Sequence, residues 1–144
     1  MKQSKRVLNQ FEWVPIQDRR PDMPPRKPEN RKPKLWLATK PCDEENDIGY
    51  ELYLVNEMEE MLSLVNVYPD GVYKDVQPKE AVMVDKYDGY YDLDYLMNVA
   101  LEIKAESLGH IRIVTPASKG GIGEMVLLWD SGEAGKHVGV TKVD

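Results

Sequence analysis

The chain has 144 residues, 19 Lys/Arg against 25 Asp/Glu, a net charge of −6 and one cysteine. That length is one domain with enough residues to bury a core, and a lone cysteine excludes an internal disulfide framework and a thiolate-built zinc site. No apolar run approaches the roughly 20 residues of a membrane span, and Asn9, Gln10 and Glu12 interrupt the basic N-terminus before a signal-peptide core develops, so a soluble, cytoplasmic protein is expected.

The charge is divided along the chain. Residues 1–40 hold 11 Lys/Arg against 4 Asp/Glu and residues 41–144 hold 8 against 21, so a leader of +7 precedes a body of −13. A body that acidic argues against gripping a phosphate backbone, which needs clustered Lys/Arg. The leader is also rich in proline, which cannot propagate a helix and interrupts sheet ladders.

Within the leader, Phe11-Glu12-Trp13-Val14-Pro15-Ile16 is an apolar patch in which Phe11 and Trp13 fall on one face of a short extended segment. The stretch from Arg19 to Pro33 has one apolar side chain other than proline, Met23, too little to offset the entropy of ordering. Residues 1–33 therefore read as an extended, basic, Pro-rich N-terminal arm. Its anchors for a partner are Phe11, Trp13 and Ile16, and its cations are Arg19, Arg20, Arg26, Lys27, Arg31 and Lys32. Pro21-Asp22-Met23-Pro24-Pro25-Arg26 also matches the P-x-x-P-x-R pattern of ligands for aromatic-lined grooves, a pattern that arises readily by chance in such a composition.

From Lys34 to Asp144 the chain reads as about seven short strands. Leu35 to Thr39 is a compact apolar run closed by Pro41; Tyr50 to Asn56 and Leu62 to Tyr68 follow, with Glu57-Met58-Glu59-Glu60 expected as a hairpin connection. Pro69-Asp70-Gly71 is a turn signal, and Glu80 to Lys86 is the next strand. Leu93 to Ala105 alternates apolar and polar residues as one strand, and Leu108-Gly109 turns it into Ile111–Thr115. Met125 to Trp129 is the last predicted strand, reached through Lys119-Gly120-Gly121-Ile122-Gly123. Residues 57–65 and 93–106 also carry helical spacing, with Asn56 and Asp92 as N-caps, so an α+β fold is the alternative. The expected fold is all-β, an immunoglobulin-like antiparallel sandwich over residues 34–144.

Chemistry-bearing motifs are few. Asp85, Asp88, Asp92 and Asp94 surround Gly89 with hard oxygens, but the spacing is not that of an EF-hand loop, and a solvated acidic turn accounts for them. Lys119–Gly123 lacks the Lys-Ser/Thr ending of a P-loop and reads as a flexible hairpin loop. His110 and His137, the two imidazoles, lack neighbouring ligands and read as surface turn residues. Cys42 precedes Asp43-Glu44-Glu45, which raise a thiol pKa and make a poor nucleophile. No catalytic residue, metal or cofactor is expected. The function that follows is a non-catalytic protein-binding or assembly module with an unidentified protein partner. The rivals are a nucleic-acid-associated protein tethered by its arm and a small metal-dependent enzyme using the 85–94 cluster.

Overall fold

Sequence alternation becomes two facing sheets. The computed structural model describes residues 5–20, 22–23, 27–42, 49–88 and 95–143. The first sheet contains β1 (Arg6–Leu8), β2 (Pro33–Pro41), β3 (Gly49–Asn56), β6 (Glu80–Asp88) and β11 (Met125–Trp129), in the order β1-β6-β3-β2-β11. The second contains β4 (Leu62–Val67), β5 (Gly71–Val76), β8 (Ala100–Ala105), β9 (Gly109–Val114) and β12 (Gly139–Lys142), in the order β12-β9-β8-β4-β5. All neighbours are antiparallel. A short ribbon pairs β7 (Leu96–Met97) with β10 (Ser118–Lys119), and a single helical turn, α1, spans Ile16–Arg19.

The main core lies between the sheets. Leu35, Leu37, Leu52, Leu54, Val82 and Leu127 face Leu62, Val65, Leu101, Ile103, Ile111 and Ile113, all buried. Because strand side chains alternate, the residues between them point the other way. Trp36, Ala38, Tyr53, Val55, Ala81, Met83 and Val126 thus form a second apolar cluster on the outer face of the first sheet. Strands apolar on both faces require a cover on both sides. The leader supplies it: Val7, Phe11 and Trp13 pack on this second cluster.

Residues 5–19 are consequently part of the body rather than an extended arm. β1 pairs with β6 in the register Arg6↔Val82, Val7↔Ala81 and Leu8↔Glu80. The Arg6 guanidinium donates to both Glu80 carboxylate oxygens and to the carbonyls of Lys74 and Asp75, tying the edges of the two sheets together. The physical reason is the outward apolar face of β2 and β3, which the leader's alternating rings match. Pro33, expected at the end of the arm, is already the first residue of β2.

Other expectations are corrected by the pairing. Residues 57–60 do not close a hairpin; they carry the chain from β3 in one sheet to β4 in the other. Buried Asn56 holds this crossover, donating to the carbonyls of Glu60 and Val76 and accepting from the Met58 N–H. The helical alternatives give way to β4 and β8. The expected long strand from Leu93 breaks at Asn98–Val99, where Thr115 Oγ1 accepts from the Val99 N–H at 2.8 Å; residues 93–94 lie outside the described residues. Beyond the seven predicted strands, β1, β5 and β12 complete the sheets. The turns at Pro69-Asp70-Gly71 and Leu108-Gly109 join β4 to β5 and β8 to β9 as expected, with Gly109 at φ +70°.

Lys119–Gly123 is likewise part of a passage from β9 in the second sheet to β11 in the first. Gly121 lies against Tyr87: a Cβ placed on it would stand 2.5 Å from the ring, and its φ is +111°. The glycine is required by close packing on an aromatic face.

Candidate partner-binding groove

The leader's cover ends in a cleft. Trp13 stands edge-on to Trp36 with centroids 5.2 Å apart, and to Trp129 at 6.1 Å, so one ring links the sheet face to the end of β11. Pro15 then presets the turn of α1, whose Asp18 N–H donates to the Pro15 carbonyl at 2.9 Å. Arg19 folds back over the Trp13 ring at 4.7 Å, donates to the Val14 carbonyl and pairs with Glu124.

Between α1 and β11 lies a groove of about 570 Å³. Trp13, Ile16, Pro116, Met125, Val126 and Trp129 make its apolar surface, and Arg19, Glu29, Lys136 and His137 stand at its polar margin. Ile16 is 53% exposed.

The margins are held by specific contacts. Gln17 and the Glu29 backbone exchange two hydrogen bonds, at 3.0 and 3.1 Å, fixing residue 29 beside α1. Arg31 lies over the Trp129 ring at 4.4 Å, forks onto both oxygens of Glu29 and reaches Glu133. Its guanidinium and backbone N–H hold the Glu29 carboxyl down at about 2. On the far side, the Gly135 N–H donates to the Leu127 carbonyl, and a Cβ at Gly135 would stand 1.7 Å from the Val126 carbonyl oxygen. Only glycine lets this segment fold back along the edge of β11 and present Lys136 and His137.

The predicted binding residues are divided by the fold. Trp13, Ile16 and Arg19 are brought to the groove, and Arg31, outside its lining, braces Glu29 and Trp129. Phe11 is not: it packs on Trp36 at 6.4 Å and Tyr53 at 5.3 Å. Arg20 engages Met23, Lys27 is exposed away from the lining, and Lys32 borders a separate cleft of about 670 Å³ on the opposite side of Trp13. Arg26 lies outside the described residues. Sequence reasoning missed Pro116, Met125, Val126, Trp129, Lys136 and His137, whose only local sign was an aromatic ending an already apolar strand.

The other candidates resolve as structural elements. Asp85 and Asp88 lie on β6, whereas Asp92 and Asp94 are outside the described residues, among which no grouping of three or more His, Cys, Asp and Glu suits a metal ion. Burial first, then the charge of Asp85, raises the phenols of Tyr87 and Tyr50. His110 is not in a turn but on β9, 3.1 Å from the Glu102 carboxylate, which also accepts from Tyr68. These bonds, with Tyr68 the larger cause, hold the Glu102 carboxyl below its ordinary range on the open outer face of the second sheet. His137 is an exposed turn residue, as expected.

A scan against protein-family models finds none that matches, and searches of curated proteins and of solved structures likewise find no match. Among the described residues, no helix is long and apolar enough to cross a membrane.

Proposed function

We propose that the chain is a non-catalytic protein-binding or assembly module, an immunoglobulin-like use of a β-sandwich as a rigid frame, with the tryptophan groove as its binding surface. The observation that carries this reading is the groove itself. An exposed aliphatic side chain, Ile16, shares with two tryptophans a concave apolar surface rimmed by charge, the anatomy of a protein interface with aromatic anchors. A protein fits better than a nucleic acid. The leader's Lys5, Arg6, Arg19 and Arg31 are each paired with a carboxylate of the same chain and are not held out for phosphates.

The test is a photocrosslinking side chain placed at position 16, with position 72 as control. Val72 is 57% exposed on β5, in the sheet that does not carry the groove. A discrete protein adduct from position 16 and none from position 72 is expected. Equal labelling from both positions, or from neither, would remove the groove from consideration.

A further inference from the structure

The leader touches only one of the two apolar clusters. Val7, Phe11 and Trp13 pack on the outer cluster around Trp36, Tyr53 and Met83, whereas the core between the sheets, among the described residues, draws on no leader side chain. The cover is also thin: no side chain from Lys5 to Arg19 is buried, while Trp36, Tyr53 and Met83 beneath it are. Its backbone is tied at one end. β1 pairs with β6, the Met83 N–H donates to the Lys5 carbonyl and the Asn9 N–H donates to the Lys79 carbonyl, but from Gln10 to Val14 no backbone hydrogen bond reaches the sheet among the described residues. Lys5, Arg6 and Arg19 add ion pairs with Glu51, Glu80 and Glu124, and each cation is partly exposed, so water screens these contacts. A segment with few buried contacts, attached to a core that closes without it, opens at a lower free energy than the core unfolds.

We propose that residues 5–19 are a strap that opens as a unit from the outer face of the first sheet while the sandwich stays folded, and that this opening switches the groove off. The second half rests on the groove reading above. Trp13, Ile16 and Arg19 are groove lining carried by the strap, whereas Pro116, Met125, Val126 and Trp129 are carried by the sandwich. Closed, the strap assembles the groove. Open, it removes one wall and bares Trp36 and Tyr53 instead. A partner at the groove therefore holds the strap closed, and whatever frees the strap releases the partner.

Native-state hydrogen exchange of the full chain, followed amide by amide in increasing urea, reads the opening without a partner. Asn9 and Met83 report the strap, and Thr115, whose N–H donates to the Val99 carbonyl in the second sheet, reports the sandwich. In wild type the Asn9 and Met83 amides should be at least about tenfold less protected than Thr115, with a shallower urea dependence, because opening exposes less surface than unfolding. Ile103→Val, in the core between the sheets, should speed exchange at Thr115 by roughly fivefold and leave Asn9 and Met83 unchanged. Phe11→Asp sets a charge against Trp36 and Tyr53, outside the groove lining, and should hold the strap open. Asn9 and Met83 should then lose their protection while Thr115 keeps its own, and the adduct from a photocrosslinking side chain at position 16 should disappear.

Asn9 and Met83 protected as fully as Thr115, an Ile103→Val change that reaches all three amides alike, or a Phe11→Asp variant in which the three stay protected or are lost together would overturn the strap. A Phe11→Asp variant that opens the strap and still gives the adduct at position 16 would overturn the switch. These failures leave capture by the wild-type groove as it is. If the strap opens as described and wild type gives no adduct at position 16, the groove reading fails and the opening stands.

Discussion

Lys5 Nζ lies 2.5 Å from Oε2 of Glu51, whose side chain is 2% exposed on the outer face of the first sheet. The other carboxylate oxygen accepts from Tyr53 Oη at 2.9 Å. That carboxylate is tolerated on a covered face because cations flank it: Lys5 from the leader, and Lys40 of β2 and Lys86 of β6 directly opposite it in the sheet. Lys5→Met should destabilise the fold by only about 1 kcal/mol, because Lys5 is 32% exposed to water and because Lys40 and Lys86 stay opposite the carboxylate. Glu51→Leu should cost more than Lys5→Met, since it also takes the acceptor from the buried Tyr53 hydroxyl. Urea denaturation midpoints measure both. A Lys5→Met loss larger than that of Glu51→Leu would overturn this ranking.

How much of this was legible beforehand is clear from individual strands. Leu101, Ile103 and Ala105 alternate with Glu102 and Lys104 in sequence and do so in β8, because one face of that strand is buried and the other open. The turns at Gly71 and Gly109 were readable from local torsional demands. What sequence did not disclose was partnership between distant segments. Glu57–Glu60 has the length and polarity of a hairpin, yet Leu62 pairs with Val76 and Ala105 and not with the preceding strand. One overlooked sign was available. Trp36-Leu37-Ala38 and Tyr53-Leu54-Val55 are apolar at successive positions, hence on both faces, and such strands call for a second cover. The groove was illegible because its walls come from residues 13–19, 116, 125–129 and 136–137, which only the folded sandwich brings together.

The glycine loop offers a test that separates packing from ligand binding. Gly121→Ala places a methyl group 2.5 Å from the Tyr87 ring at a φ of +111°, so steric overlap and backbone strain add. A loss of about 2 kcal/mol or more is expected. Gly123→Ala meets nothing within 4 Å and should stay within about 0.5 kcal/mol of wild type. Thermal or chemical melts compare the two. Equal effects at both positions would contradict the packing role.

Acid sensitivity follows from the carboxylates. Glu29 is lowered from an ordinary 4.5 to about 2, by the Arg31 guanidinium first and the Arg31 N–H second, while Glu80, through Arg6, and Glu102, through Tyr68, are shifted in the same direction. A carboxyl depressed in the folded state favours folding fully above its unfolded value, and that contribution disappears as pH falls through the folded value. Stability should therefore decline as pH drops from about 4.5 toward 2, with no contribution from these groups to any change above that window. Glu29 is partly exposed and screened by water, so its share is small and is best read at the site. Its side-chain carbon resonance should titrate near 2, and Arg31→Gln should return it toward the ordinary carboxyl range. A Glu29 that titrates ordinarily in the wild type would mean that the Arg31 fork does not persist in solution.

Trp13 and Ile16, three residues apart, should behave as different kinds of residue. The Trp13 ring is wedged between Trp36 and Trp129 under Arg19, and it forms the wall between the groove of about 570 Å³ and the cleft of about 670 Å³ behind it. Trp13→Ala would merge the two spaces and expose the second apolar cluster, a loss of about 2 kcal/mol or more that a side chain present only for a partner would not show. The near-UV dichroism of the coupled tryptophans should fall with it. Ile16→Asp touches no buried contact and should leave the melt within about 0.5 kcal/mol of wild type while abolishing capture at the groove. A Trp13→Ala variant as stable as wild type would free the leader from the sheet. An Ile16→Asp variant that unfolds would place Ile16 in the core and leave the groove without its exposed anchor.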